Sequence, residues 1–499
     1  MKRRASGVLL HISSLPSRYG IGDFGRPAYE FVDLLRKMKQ SYWQILPLTP
    51  TERSCGSSPY YSTSAFAFNP MFIGLDFLLE KGLLQQADVD PAPEFQKNII
   101  DFNAVASYKE RCFHAAFCRF KEEKEDRDYA RFCEANAGWL DTYALFRSLK
   151  SRFNNAGWMD WPAEFVTRDP DALARAEHDL AEPIELHRFL QFIAAGQWDA
   201  LKTYANQNGV HIIGDIPLYV EYDSADVWAN QGNYKLDERR RPLAVAGVPP
   251  DYFSKTGQVW GNPVYRWEVM KDNKFDWWVR RISHNLKLFD IVRIDHFRGL
   301  VAYWEVPAGA ESAIKGEWVE APAVDFLNAL LKIDPFLPVI AEDLGLITPD
   351  VREIIRRYDL PGMKVLQFAF DSDTATNPYV PHNVNANSVM YTGTHDNNSV
   401  KGWFEHDAGA ETKHRLREYL GREVTPDSLP WEMIRLAMMS TANTVIIPMQ
   451  DLLCLGSEAR MNTPSTTEGN WRWQLSGEQL NTLDVERVAR MTEIYGRSQ

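Results

Sequence analysis

The segment FDIVRID, residues 289–295, indicates the fold class of this chain. Its centre is almost continuously apolar, and it ends in Arg293 and Asp295. A strand that is buried on both faces of a parallel sheet has this pattern, because neither face meets water. The segment therefore predicts a parallel strand that carries polar residues at its carboxyl end.

Seven further segments share this pattern, and helical periodicity fills several of the intervals between them, as in residues 31–38 and 348–358. Alternation of strand and helix with eight strands predicts an α/β fold of the (β/α)8 TIM barrel type. The seven segments are GVLLHIS (7–13), SYWQILPL (41–48), GVHIIGDIPL (209–218), FLPVIAED (336–343), GMKVLQFAF (362–370), SVMYTGTHD (388–396) and TVIIPMQD (444–451).

The spacing of the strands is uneven, which predicts insertions in a single catalytic barrel over residues 1–499. Residues 51–208 are far longer than a crossover needs and contain charged, helix-like text, so we expect inserted, mainly helical subdomains there. Residues 219–275 are predicted to be an inserted loop region that includes a lid over the active site. Residues 452–499 are enough for a last helix, so no C-terminal β-sandwich domain is expected.

Composition excludes several classes of protein. A net charge of −12 without a basic run disfavours binding to nucleic acid or to an anionic membrane. Five cysteines, odd in number and without CxxC pairs, exclude a disulfide scaffold and a cysteine-based zinc site, and they favour a reducing, cytoplasmic location. No apolar stretch approaches the ~20 residues that span a bilayer. The first residues are typical of a strand and not of a signal peptide.

Polar residues gather at the predicted carboxyl ends of the strands, where barrel enzymes hold their catalytic groups. Breaking and remaking an acetal bond requires two carboxyl groups, of which one attacks and one protonates. Asp295 and Glu342 lie on consecutive strands, and Arg293 would keep Asp295 ionised while a like charge keeps Glu342 protonated. The strand-end residues are Asp215, Arg293, Asp295, Glu342, His395 and Asp396.

Each of these residues also has a simpler explanation. A lone aspartate at a strand end is more often a helix cap or a loop anchor, and an Arg-x-Asp pair is usually an ion pair. The conjunction of Arg293-x-Asp295, Glu342 and His395-Asp396, in this order and on these strands, favours catalysis.

The order of these residues along the strands resembles the α-amylase superfamily. The sequence segments around them more closely resemble the amylomaltases, which are 4-α-glucanotransferases also called disproportionating enzymes. The resemblance runs from the first strand to near the C-terminus. The matching segments are GVLLHISSLPSRYGIGDFG (7–25), SPYYSTSAFAFNP (58–70), VPPDYFSKTGQVWGNPVY (248–265), IVRIDHFRG (291–299), IAEDLG (340–345), YTGTHDN (391–397) and SEARMNTPSTTEGNWRW (457–473).

The resemblance implies a catalytic trio, with Asp295 as nucleophile, Glu342 as general acid and base, and Asp396 as a third carboxylate that stabilises the transition state. It implies a retaining double displacement that moves a segment of an α-1,4-glucan to the 4-OH of another glucan or of glucose, without metal or cofactor. The implied substrates are maltooligosaccharides, amylose and other α-1,4-glucans. The implied substrate-binding residues are Tyr60, Asp215, Gln258, Trp260, Arg293, His395 and Asn470.

Two other functions stay open at this point. An α-glucan hydrolase would use the same trio, but hydrolytic relatives usually carry a β-sandwich after the barrel. A non-catalytic glucan-binding protein would not need a nucleophile and an acid. The segment 248–263 is long enough for a lid, with Tyr252, Phe253 and Trp260 as surfaces for sugar rings, although these aromatics also suit simple anchoring of the loop to the barrel.

Overall fold

The computed structural model describes residues 3–52, 55–122, 126–250 and 255–498 of the chain. Within these ranges it contains twelve strands. They are β1 (Ala5–Leu9), β2 (Tyr42–Gln44), β3 (His211–Ile216), β4 (Ala244–Val248), β5 (Gln258–Pro263), β6 (Ile291–Ile294), β7 (Ala302–Pro307), β8 (Glu317–Glu320), β9 (Val339–Ala341), β10 (Gly362–Val365), β11 (Ser388–Tyr391) and β12 (Thr444–Pro448).

Eight of these strands close into a parallel barrel in the order β1-β12-β11-β10-β9-β6-β3-β2. Each of the eight apolar segments of the sequence supplies one of them, so the predicted (β/α)8 TIM barrel is confirmed. Register brings Asp215 of β3 level with Arg293 of β6, and Ile294 level with Ala341 of β9. Asp295 and Glu342 directly follow the latter two residues, so both leave the barrel at the same edge.

A second sheet of four strands, in the order β5-β4-β7-β8, is antiparallel and lies outside the barrel. The sequence predicts a loop region over residues 219–275, and this needs correction because β4 and β5 lie within it. The proline and glycine residues of this region are typical of a loop. Strand β4 pairs with β7, which follows β6 in the chain, and a local sequence pattern does not reveal such a distant pairing. Of the predicted lid aromatics, Tyr252 and Phe253 lie outside the described residues.

Nineteen α-helices occur in the described part of the chain, and seven of them, α2 to α8, fall within residues 51–208. They are α1 (Arg26–Lys37), α2 (Leu75–Glu80), α3 (Gln86–Val89), α4 (Phe102–Glu122), α5 (Arg127–Arg152), α6 (Ala163–Val166), α7 (Pro170–Asp179), α8 (Ala181–Gln207), α9 (Ala225–Ala229), α10 (Trp267–Asp272), α11 (Asp276–Leu288), α12 (Ala323–Leu331), α13 (Pro349–Arg357), α14 (Val400–Gly402), α15 (Ala410–Leu420), α16 (Leu429–Met439), α17 (Met449–Leu452), α18 (Gly477–Leu480) and α19 (Val485–Ile494).

The helical insertion packs on the same hydrophobic core as the barrel. Helices α5 and α8, the longest described, contact each other along their length, and α8 leads directly into β3. Trp198 of α8 is buried and donates from its indole N–H to the carbonyl of Leu288, immediately before β6. The insertion is therefore joined to the barrel by packing as well as by the chain. None of the helices in the described ranges combines the length and the apolarity that crossing a bilayer would take.

A buried ion pair ties helix α4 to the loop that follows β1. The Lys109 ammonium donates to Asp23 Oδ2 at 2.8 Å and to the carbonyls of Met71 and Ile73 at 2.7 and 2.9 Å. The two charged side chains are 0% and 5% exposed. Burial raises the pKa of Asp23, and the Lys109 charge and hydrogen bond act against that rise. All three protons of the ammonium are therefore used.

We predict that Lys109→Met lowers the free energy of unfolding by about 3–5 kcal/mol, because it leaves the Asp23 carboxylate buried without its cation. Urea unfolding followed by circular dichroism measures this change. Lys121→Met is the matched control, because Lys121 forms an exposed ion pair with Glu182 and should change stability little. The double variant Asp23→Asn/Lys109→Met should recover part of the loss. Equal unfolding curves for the two lysine variants would contradict the prediction.

Candidate active site

Arg293 joins two carboxylates at the carboxyl edge of the barrel. Its Nη1 donates to both oxygens of Asp215 at 2.7 and 2.6 Å, and its Nη2 donates to Asp295 Oδ1 at 2.7 Å. The Arg293 and Asp215 side chains are almost fully buried, whereas Asp295 keeps 29% of its side chain exposed. Burial acts to lower the pKa of Arg293, but Asp215 and Asp295 raise it well above its ordinary value. The guanidinium therefore stays charged and fixes the position of Asp295.

Tyr60 extends this network to the seventh barrel strand. Its hydroxyl donates to Asp215 Oδ2 at 2.6 Å. Its ring stacks on the imidazole of His395, with centroids 5.1 Å apart and planes 19° apart. Trp471 contacts both rings, each at a centroid distance of 5.8 Å. The three rings form a wall beside the carboxylates, and such a surface suits the apolar face of a sugar.

Glu342 is held by two backbone N–H groups. His296 donates to Oε2 and Leu344 donates to Oε1, each at 2.7 Å. The pKa of Glu342 is raised to about 8, first by burial and then by the nearby charge of Asp295, while Arg293 and the two N–H bonds act in the opposite direction. Glu342 is therefore protonated at neutral pH beside an aspartate that Arg293 binds as an ion.

His296 has the left-handed backbone conformation, with φ 51° and ψ 47°. The chain turns directly after Asp295, beyond the end of β6, and does not continue as an extended strand. The turn lets the N–H of His296 reach Glu342. Residues other than glycine rarely adopt this conformation, and it persists where surrounding contacts impose it.

Asp396 is the most open of the three predicted catalytic carboxylates, with 45% of its side chain exposed. Asn462 donates from Nδ2 to its Oδ1 at 2.7 Å, and His395 Nε2 lies 3.4 Å from its Oδ2. Asn462 is a residue that the sequence reasoning did not single out, although it lies in the segment 457–473. The sequence offers only one indication of a role for Asn462, which is that it lies near Asn470. Its contact with Asp396 joins residues 66 positions apart, so a local pattern does not reveal it.

Gln258 and Trp260 lie on β5 and reach the site from the second sheet. The Trp260 indole N–H donates to Gln258 Oε1 at 3.2 Å. The Trp260 ring meets the His296 ring edge to face, with centroids 4.8 Å apart and planes 84° apart. Trp260 therefore contacts the residue whose N–H holds Glu342.

Asn470 forms hydrogen bonds within its own loop, and none of them joins it to another predicted site residue in the described ranges. Its Oδ1 accepts from the N–H of Thr463 at 2.9 Å, and its Nδ2 donates to the carbonyl and the hydroxyl of Thr466 at 3.0 and 3.1 Å. These bonds shape the loop that places Trp471 against Tyr60. Within the described ranges, no three His, Cys, Asp or Glu side chains are arranged to hold a metal ion.

The comparisons with known proteins give one consistent family description. A family model described as 4-alpha-glucanotransferase matches residues 10–481. The 4-alpha-glucanotransferase of Synechocystis sp. is 47% identical over 503 residues, which cover 100% of this chain and 99% of that protein. The chain belongs to the 4-alpha-glucanotransferase family. The member from Thermus thermophilus is 45% identical, with 99% of each chain covered.

Solved structures of the 4-alpha-glucanotransferase family share the fold. Amylomaltase from Streptococcus agalactiae, solved in complex with acarbose, superimposes with a TM-score of 0.96 at 37% identity and covers 100% of both chains. Amylomaltase from Corynebacterium glutamicum gives a TM-score of 0.79 at 20% identity, with 99% of this chain and 74% of that chain covered, and this likeness concerns the fold alone. The predicted resemblance to amylomaltases is confirmed.

We predict that Glu342 lowers folding stability as the pH rises. An acid whose pKa is higher in the folded chain than in the unfolded chain binds more protons when folded, so stability falls with rising pH between the two pKa values. For Glu342 these values are its ordinary 4.5 and about 8. Glu342→Gln should remove this loss and should unfold at a higher temperature than the wild type above pH 8.

Thermal unfolding at several pH values between 5 and about 9 measures the difference between the two proteins. Glu353→Gln, on the exposed face of α13, is the matched control and should follow the wild type at every pH. A constant difference between Glu342→Gln and the wild type over this range would show that Glu342 is not the titrating group.

Proposed function

We propose that this protein transfers a segment of an α-1,4-glucan to the 4-OH of another glucan or of glucose, with retention of configuration. The observation that carries the proposal is the contrast between two neighbouring carboxyl groups. Asp295 is bound by Arg293, whereas Glu342 has a raised pKa. One is suited to attack an anomeric carbon and the other to protonate a departing oxygen, which is the requirement of a retaining mechanism. Maltooligosaccharides and amylose are the proposed donors, and glucose is a proposed acceptor.

In the first half-reaction Asp295 attacks C1 of the donor glucosyl unit while Glu342 protonates the glycosidic oxygen. Arg293 binds Oδ1 of Asp295, so Oδ2 is the oxygen proposed to form the covalent bond. Glu342 gives its proton to the leaving segment, which departs as a shorter glucan. The product is a glucosyl ester of Asp295, and the configuration at C1 is inverted once.

In the second half-reaction Glu342 acts as a base. Once Asp295 is an ester it carries no charge, so one cause of the raised pKa of Glu342 is gone. The pKa of Glu342 then falls, and the carboxylate removes a proton from the incoming 4-OH. The new oxygen attacks C1, Asp295 leaves as a carboxylate, and a second inversion restores the α configuration.

The surrounding residues are proposed to bind the sugar that reacts. Asp396 is partly exposed and accepts a bond from Asn462 at one oxygen, so it can accept hydroxyl bonds from a glucosyl unit as its ring flattens. Tyr60 offers a stacking surface, and His395 offers ring nitrogens beside it. Asp215 is fully engaged by Arg293 and Tyr60, so we propose that it positions these two residues. The substrate-binding role of Asn470 stays a prediction.

Transfer in preference to hydrolysis is proposed to depend on β5. Trp260 covers one side of the catalytic edge through its contact with His296. A covalent intermediate that is shielded from water is not hydrolysed before the acceptor hydroxyl binds and reacts with it. Gln258 fixes the indole by accepting its N–H. A hydrolase would need no such cover and would give only shorter chains. A binding protein would need no carboxylate pair and would leave the substrate unchanged, so the test below distinguishes both alternatives from transfer.

The domain organisation is part of the proposal. Residues 1–499 are proposed to form one catalytic barrel, with residues 51–208 as inserted, mainly helical subdomains whose buried side chains continue the barrel core. The second sheet, which supplies β5, is proposed to be the support of the lid. A cytoplasmic location stays a prediction.

We predict that Asp295→Asn abolishes formation of the covalent intermediate and that Glu342→Gln lowers kcat/KM by about 10²–10⁴-fold, both with the fold intact. Wild-type kcat/KM should fall above pH 8, because Glu342 loses its proton there. The residual activity of Glu342→Gln should lack this fall, whereas Glu353→Gln should retain it. If Glu342→Gln kept the basic limb, another group would be the acid.

Chromatography of the products from maltotriose distinguishes the proposed function from its alternatives. A ladder of longer and shorter chains indicates transfer, and the absence of longer chains indicates hydrolysis. Unchanged maltotriose from a folded wild-type protein would leave only a binding function. Counting free glucose and new reducing ends separately gives the ratio of transfer to hydrolysis.

We predict that Trp260→Ala raises the ratio of hydrolysis to transfer and lowers total turnover. The reason is that the indole shields the catalytic edge at His296. Val259→Ala is the matched control, because Val259 is the neighbouring, more exposed residue of the same strand and should leave the ratio unchanged. New reducing ends measured against redistributed glucosyl units from maltotriose give the ratio. An equal ratio in both folded variants would return Trp260 to a packing role.

A further inference from the structure

A polar cavity of about 470 Å³ lies outside the catalytic edge, and no residue of the proposed active site lines it. Its walls come from the segment that precedes α7, from the turn after α9 and from the first residues of α11. The residues that give it chemical character are Arg168, Arg240, Arg280, Asn233, Asn273 and Asp276.

The arginines make this cavity cationic in a chain of net charge −12. Arg280 donates from Nε to Asp276 Oδ2 at 3.0 Å, and Asp276 is the one acid among the lining residues in the described part of the chain. Arg168 and Arg240 form no ion pair with any residue that the structure describes. Burial lowers the pKa of Arg168, and the charge of Glu177, which forms no ion pair with it among the described residues, acts in the opposite direction. Two positive charges are therefore left without a partner at one cavity.

Both guanidinium groups also have unused hydrogen-bonding capacity. Arg168 Nη1 and Arg240 Nε are buried, and neither has a hydrogen-bond partner within the described ranges. Buried polar nitrogens of arginine are normally satisfied, so each exception requires an explanation. A ligand that is present in solution and accepts from the guanidinium groups would supply one.

The two arginines are held in place by strained backbone and by packing. Arg168 has φ 58° and Arg240 has φ 67°, which is the left-handed region that residues with a β-carbon rarely adopt. The Arg168 guanidinium lies 4.1 Å from the ring centroid of Trp228, and Trp228 is buried with its indole N–H bonded to the carbonyl of Phe165. Such strain concentrates at ligand clamps, where the surroundings impose it.

We propose that this cavity binds the phosphate group of a small molecule between Arg168 and Arg240. The planar fork of a guanidinium matches two oxygens of a phosphate, and arginine is the side chain that most often recognises this group. The amides of Asn233 and Asn273 at the wall suit hydroxyl groups on the remainder of the molecule. The volume exceeds that of a free phosphate ion, which favours a phosphorylated sugar. The proposal is independent of the proposed function, because it concerns a separate cavity.

Isothermal titration of the full chain in phosphate-free buffer tests the proposal, with inorganic phosphate, glucose 6-phosphate and glucose as separate probes. We expect saturable binding of glucose 6-phosphate and none of glucose at the same concentrations. Arg168→Gln and Arg240→Gln should each raise the Kd by about tenfold or more, since each removes a charge-assisted bond. Tighter binding of glucose 6-phosphate than of phosphate would assign the site to a phosphorylated sugar, and equal binding would assign it to free phosphate.

Arg239→Gln is the matched control, because it removes the same charge from an exposed neighbour that does not line the cavity. It should leave the Kd within about twofold of the wild type, as expected for a screened surface charge. Arg168→Gln also loses the contact with Trp228, so the melting temperature of each variant is measured beside the titrations. If Arg168→Gln is unfolded, the result for Arg240→Gln tests the proposal. No saturable binding of either phosphate probe, or an equal loss in Arg239→Gln and Arg240→Gln, would overturn the proposal.

Discussion

The Arg293 guanidinium is the interaction on which the catalytic edge depends. It is buried and binds both Asp215, within β3, and Asp295, which directly follows the adjacent strand β6. Tyr60 also binds Asp215. Three charges enclosed in this way are stable only when each is paired and hydrogen-bonded, because burial of a single unpaired ion is very costly. The register of β3 and β6 is thus tied to the chemistry, and a shift of either strand would separate the pairs.

The pKa of Glu342 depends on the same arrangement, because the charges of Asp295 and Arg293 both act on it. Its proton is retained because it is buried beside Asp295, and two backbone N–H groups hold both of its oxygens. One of these groups reaches Glu342 only because His296 adopts a left-handed conformation. The backbone is therefore strained at the residue that follows Asp295. The two N–H bonds fix the position of the Glu342 carboxyl group, and the charge of Asp295 contributes to its raised pKa.

The parts outside the barrel supply the walls around this edge. The second sheet brings Trp260 onto His296, and the loop shaped by Asn470 brings Trp471 onto Tyr60 and His395. A barrel alone would leave the carboxylates open to water. The insertions also line a separate cavity with Arg168, Arg240 and Arg280, and these arginines belong to neither wall.

The sequence by itself determined the barrel and the strand-end residues, because strands buried on both faces leave continuous apolar runs and their polar ends are local in the chain. It also supplied the resemblance that named the trio. Only the tertiary structure decided the pairing of β4 with β7, the contact of Asn462 with Asp396, and the turn at His296. These depend on residues distant in sequence, or on backbone conformation that surrounding contacts impose. A local pattern of residue types does not predict these features, because the contacts that stabilise them form only when the chain is packed.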